Sequence, residues 1–247
     1  MWKFLHQLAS PPHYYRISVK FIPWLLLPAI ILIGYGLYGG LILAPADYQQ
    51  GDAFRIIYIH VPSAYLSMMA YMIMAISGGI GLIWRMKLAH SVAAAVAPIG
   101  AAFTFLAPAT GSIWGRPMWG TWWEWGDPRM MSELILLFLY FGYMALRAAI
   151  DDTAKADKAS AVLALVGAVN VPIIHFSVEW WNSLHQGQTV MKGAMDPEML
   201  YPLLATIVGF TFLFGAMLLR RVRTEVLFRE RRTRWVKEMI LSDGGVK

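Results

Sequence analysis

Six stretches of the chain are apolar for about 20 residues or more, and each is closed by a short polar or charged segment. That is the length a helix needs to cross a hydrocarbon core of about 30 Å. The pattern predicts membrane helices over residues 21–44, 61–84, 91–113, 131–150, 159–181 and 201–220. Pro62 suits the first turn of the second helix, where a missing N–H costs nothing. The third helix is rich in Ala and Gly, which lets helices pack closely in lipid. Asn170, Pro172 and His175 interrupt the second half of the fifth. The expected fold is an all-α integral membrane protein with six transmembrane helices and an outward Trp-rich loop segment. Its six-helix domain covers residues 1–220, and a basic cytoplasmic tail, helical along the membrane surface, covers residues 221–247.

Composition supports this reading. Of 247 residues, 58% are hydrophobic and 15% charged, against roughly 25% charged in a soluble domain. Mean hydropathy is +0.51. The first apolar run is longer than the roughly 7–15 residues of a signal-peptide core, so it is expected to stay as a helix. There is no cysteine. Disulfides, thiolate metal sites and thiol catalysis by the chain are excluded, and a metal would need histidine, methionine, tyrosine or carboxylate.

The net charge of +6 invites a nucleic-acid reading, but the basic residues sit beside apolar segments and in the tail. With six spans both termini share one face. That face collects 17 of the 21 Lys and Arg residues, and Arg55, Arg116, Arg129 and Lys192 are left opposite. The positive-inside rule makes the first face cytoplasmic. No Gly-rich phosphate loop is present, so the chain is not expected to hydrolyse ATP itself.

The outward side carries the candidate chemistry. Residues 114–129 read WGRPMWGTWWEWGDPR, with five tryptophans (Trp114, Trp119, Trp122, Trp123, Trp125) of the eleven in the chain. Three glycines and two prolines argue against one regular helix. The segment reads as an aromatic shelf at the membrane surface, suited to a flat apolar ligand. His60, at the mouth of the second span, and His185, after the fifth, fall on the same face. Two neutral imidazoles approaching from opposite sides can ligate a haem iron axially, with aromatic walls for the porphyrin. Arg55, Arg116 and Arg129 are available to pair with propionates. Each feature also has a plainer reading. Interfacial tryptophans anchor proteins in bilayers, loop histidines are commonly solvated, and outward arginines bind lipid phosphate. His175 fits an interhelical hydrogen bond. Glu133 suits the N-terminal dipole of the fourth helix, and Glu179 reaches the membrane edge. The methionines of the second span suit packing better than copper binding.

These residues resemble a known family. PADYQQGDAFRIIYIHVPSA around His60, GSIWGRPMWGTWW at the shelf, SELILLFLY in the fourth span and VPIIHFSVEWWNSLHQG around His185 are similar to CcmC, the haem-handling membrane proteins of cytochrome c maturation, which carry a Trp-rich WWD domain. The resemblance runs nearly the whole length. It implies transient, non-covalent binding of haem b at the periplasmic face of a bacterial inner membrane. It also implies delivery to a haem chaperone, CcmE, beside the ABC-type subunits CcmA and CcmB and the small membrane protein CcmD. By the same resemblance His60 and His185 are the iron ligands, the five tryptophans line the platform, and Asp127 stands for the family's aspartate; Arg55 and Arg129 are placed at the site by the propionate argument alone. The chain departs from the family pattern in one place. Gly126 stands between Trp125 and Asp127, so the stretch is one residue longer and the register of Asp127 is open. Two other functions compete: a haem-exporting permease subunit of an ABC-type complex, and an electron-transfer subunit with bis-histidine haem. Haem-lyase-like activity on an acceptor protein is compatible with the first reading.

Overall fold

The computed structural model describes residues 10–185 and 195–243. His6, Lys192 and residues 186–194 of the second polar loop lie outside the described residues. The fold is all-α, and six helical segments are long and apolar enough to cross a membrane. Helix α1 (Pro11–Tyr38) ends in a π-helical turn, Gly39–Leu43. A short 3₁₀ turn, Asp52–Ile56, leads into α2 (Ile57–Trp84). Then come α3 (Lys87–Trp119), α4 (Pro128–Ala149), α5 (Thr153–Gly167), α6 (Asn170–Trp180), α7 (Pro197–Glu230) and α8 (Arg234–Asp243).

The helices overrun the apolar runs that mark them. The second, for example, begins at Asp52 as a span rather than at residue 61. Hydropathy marks only the part inside hydrocarbon, while backbone hydrogen bonding continues into polar sequence. The same effect carries α7 through Arg220 to Glu230, so the first ten residues of the expected tail prolong the sixth span. The fifth span is two helices, α5 and α6, interrupted at Ala168 and Val169. Pro172 removes a hydrogen bond there, and Asn170 Nδ2 donates to the Ser132 carbonyl at 2.9 Å. His175 makes no interhelical hydrogen bond among the described residues. It is exposed and packs edge-on against Phe176.

The core lies between α2, α3, α4, α5, α6 and α7, around Leu66, Met74, Val96, Leu136, Ala164, Ile174 and Phe214. Tyr71 and Tyr140 meet edge-to-face in it, with centroids 5.0 Å apart. Helix α1 stands outside this core and packs chiefly on α7, leaving Trp24, Leu27, Ile30 and Ile31 exposed. In a bilayer those side chains face lipid.

At the end of the bundle away from His60, an ion cluster ties three helices. Asp157 on α5 accepts from Arg147 on α4 and, through both oxygens, from Arg229 on α7 at 2.8 and 3.0 Å. Glu225 accepts from Arg229 Nε at 2.7 Å. Asp157 is buried. Removing one partner of a buried ion cluster strands the others, at a cost of about 3–5 kcal/mol. Asp157→Ala should therefore lower the thermal midpoint of the detergent-solubilised protein by several degrees, measured by intrinsic fluorescence, and leave the opposite end of the bundle unchanged.

Candidate functional site

The two histidines, 125 positions apart in sequence, lie side by side in the structure. Their ring centroids are 6.4 Å apart with 30° between the planes. Both line a small cavity, open to solvent on one side, together with Gly111, Arg129, Met130 and Glu133. His60 is in the first turns of α2. Its Nδ1 lies 2.9 Å from Thr110 Oγ1. Thr110 Oγ1 also lies 2.7 and 3.1 Å from the Leu106 and Ala107 carbonyls; with its proton given to one of these, it accepts from His60 in the tautomer protonated at Nδ1. This leaves a lone pair on His60 Nε2. Gly111 makes room for the ring, since a Cβ there would lie 3.2 Å from His60 Cε1.

His185 is placed by Asp127. The Asp127 carboxylate caps α4, accepting from Met130 N–H at 2.9 Å. Its second oxygen accepts from the Ser183 hydroxyl at 2.7 Å and from Leu184 N–H at 2.9 Å. Those two bonds fasten the segment that carries His185 to the start of α4. Burial pushes the Asp127 carboxyl up. The Met130, Ser183 and Leu184 donors and the neighbouring His185 outweigh that and hold it below the usual carboxylate range. Gly126, the extra residue, is absorbed in a tight turn. Its N–H bonds Glu124 Oε1, and Asp127 N–H bonds the Glu124 carbonyl. The turn sets Asp127 in capping position despite the added length.

The five tryptophans do not form one shelf. Helix α3 runs through Gly115 and Pro117 and ends only at Gly120, whose φ of 79° is readily open to glycine. Trp114 and Trp119 are therefore helical. As expected, residues 114–129 are not one regular helix, yet residues 114–119 continue α3, because Pro117 falls in the helix's last turn, and Arg116 folds back to the Gly120 carbonyl. Trp114 is 7% exposed, and its Nε1–H donates to Gln50 Oε1 at 3.0 Å. Trp114 and Trp119 flank the His185 ring at centroid distances of 6.3 and 5.2 Å. Trp123 packs edge-on to Trp125. Trp122 and Trp125 are 57% and 71% exposed. Of the arginines, Arg129 lines the cavity. Arg55 does not: it bonds Asp52 and the Gly40 carbonyl, both at 2.9 Å.

Two side-chain nitrogens of the site are buried without a hydrogen-bond partner: His185 Nδ1 and Trp123 Nε1. Glu133 is a lining residue that sequence reading assigned only to a helix dipole. It is buried and accepts from Ser67 Oγ at 2.6 Å. Its position four residues after Arg129 was the available signal, because that spacing puts both on one helix face. Thr110, Gly111 and Ser183 had no local signal.

Among the described residues no group of three or more His, Cys, Asp or Glu side chains is arranged to hold a metal. The pair suits a metal that brings its other ligands with it. Two imidazoles on opposite sides of one such metal, each at about 2 Å, place their centroids roughly 6 Å apart.

The profile of the CcmC family, heme exporter protein C, matches residues 4–237. The chain belongs to the CcmC family. It is 54% identical to heme exporter protein C of Escherichia coli K12 over 244 residues, covering 99% of each chain. The CcmC protein of Haemophilus influenzae is 48% identical over 242 residues, covering 97% of this chain and 98% of that one. The relative from Bradyrhizobium diazoefficiens is 50% identical over 232 residues, 93% and 88% of the two chains.

His185 titrates at about 4 rather than near 6.5, because burial, Arg129 and His60 all oppose its charge and Asp127 only partly compensates. In the window from about 6.5 down to about 4 the unfolded chain takes up a proton there and the folded chain does not. Stability contributed by this site is thus lost as pH falls through that window. His185→Phe should flatten the dependence of thermal midpoint on pH across it. An unchanged slope would count against this placement of His185.

Proposed function

We propose that this protein binds haem b, without a covalent bond, between His60 and His185 at the periplasmic face of a bacterial inner membrane. It presents the haem to the chaperone CcmE, promoting its covalent attachment to that acceptor during cytochrome c biogenesis. CcmA, CcmB and CcmD are the partners of the assembly, and both termini are cytoplasmic. The observation that supports this reading is the imidazole pair at 6.4 Å, both rings lining one cavity. The relatives' shared name, heme exporter protein C, points to the same cargo.

The residues divide the work. His60, with Nδ1 committed to Thr110, offers Nε2 to one face of the iron. His185, neutral at pH 7, serves the other. Trp114 and Trp119 brace the His185 ring, and Arg129 supplies the positive charge nearest the cavity for a propionate. Bound haem supplies the electrophilic vinyl edge for the acceptor's histidine. The chain contributes position and electrostatics. The exposed Trp122 and Trp125 offer the acceptor an aromatic surface beside the site.

The test is the absorption spectrum of the purified protein. Losing a partner of a metal ligand costs roughly 10–100-fold in affinity, and losing the ligand itself should cost more. His60→Ala and His185→Ala together should abolish the low-spin haem spectrum. Low-spin haem unchanged in the double variant overturns the ligand assignment. Co-purification with CcmE should yield haem covalently bound to the chaperone. The printed word "exporter" favours a second reading, a permease subunit of an ABC-type complex. Haem crossing vesicles that contain this chain alone would select it.

A further inference from the structure

The two imidazoles have different backing. His60 Nδ1 meets a neutral hydroxyl, Thr110, at full hydrogen-bond distance. His185 Nδ1 is buried and unpartnered, and the atom facing it is an oxygen of a carboxylate, Asp127 Oδ1, at 3.8 Å. That is too long for a hydrogen bond, and short enough for a small ring rotation to close. The carboxylate is not free to swing away. Met130 N–H holds Oδ1, and Ser183 and Leu184 hold Oδ2. Ser183 Oγ also accepts from the His185 backbone N–H at 3.1 Å, so the chain on both sides of the gap is fixed.

We infer that Asp127 is a positioning residue for the haem site: its Oδ1 accepts a hydrogen bond from His185 Nδ1–H once Nε2 is ligated, and this makes His185 the more basic axial ligand and holds the iron oxidised. The inference rests on the proposed haem site. A carboxylate behind a ligating imidazole fixes its tautomer and raises its basicity. A more basic ligand stabilises the higher oxidation state, and the Thr110 hydroxyl behind His60 does this less. The aspartate of the Trp-rich segment would thus act through the histidine, with no contact of its own to the cargo.

The experiment is an equilibrium redox titration of the full chain, purified in detergent and loaded with haem, beside Asp127→Asn. Asparagine caps a helix as well as aspartate does, so with its one oxygen on Met130 N–H α4 keeps its start, while the charge goes and the amide nitrogen no longer accepts from Ser183 and Leu184. Asp127→Asn should keep a low-spin spectrum but raise the ratio of reduced to oxidised haem about tenfold at a fixed ambient potential, about 59 mV for one electron. An unchanged potential overturns the inference alone. If the parent protein holds no haem whose spectrum depends on His60 and His185, the proposed function falls and takes this inference with it. Should Asp127→Asn fail to accumulate, Ser183→Ala serves instead, keeping the charge while releasing one bond that aims it. The imidazole concentration that displaces half of the haem's axial ligation should then fall several-fold. No change in it overturns the inference.

Discussion

Asp127 joins the start of α4 to the segment that carries His185, and Arg129 beside it bonds the Ile174 carbonyl of α6 at 3.2 Å. One carboxylate caps α4 and also holds Ser183 and Leu184. Hydrogen bonds to a charged acceptor contribute about 1.5–3 kcal/mol each, enough to hold a short non-helical segment against its conformational entropy. His60 needs no such device, since it rides on α2 and leans on α3. The second imidazole has its place only because an aspartate 58 positions earlier keeps it there.

Two polar centres are buried in the bundle, and they differ in how completely they are satisfied. Around Asp157 both arginines and both carboxylates are paired. In a low-dielectric surrounding that closure fastens helices and leaves nothing over for a ligand. At the other end Glu133 is met by Ser67, but His185 Nδ1 and Trp123 Nε1 are not met by anything. Orphaned buried donors are costly in a finished protein. Of the two only His185 lines the cavity, and Tyr71 Oη in the core is likewise buried without a partner.

The spans were legible in the sequence because apolar length is a property of consecutive residues. The break at Asn170 and Pro172 was legible for the same reason. The histidine pair could be nominated from topology, since both fell on one face, but their approach to 6.4 Å depends on Thr110, Gly111 and Asp127, which belong to other elements. The shelf was misread at its start. Composition shows Gly115 and Pro117 as breakers, yet a proline in a final turn leaves little helix to break. Gly126 raised a question of register that sequence alone left open. In this chain the turn through Glu124 sets Asp127 as the cap of α4.

The order in which the cavity's residues occur in the chain has a consequence for biosynthesis. His60 and both flanking tryptophans are made early, but the second imidazole follows the fifth span. Ribosome-bound intermediates with only four spans inserted contain the aromatic residues and one histidine of the pair, with no counterpart beside it. The histidine pair is therefore complete only once α5 and α6 are threaded into the bilayer.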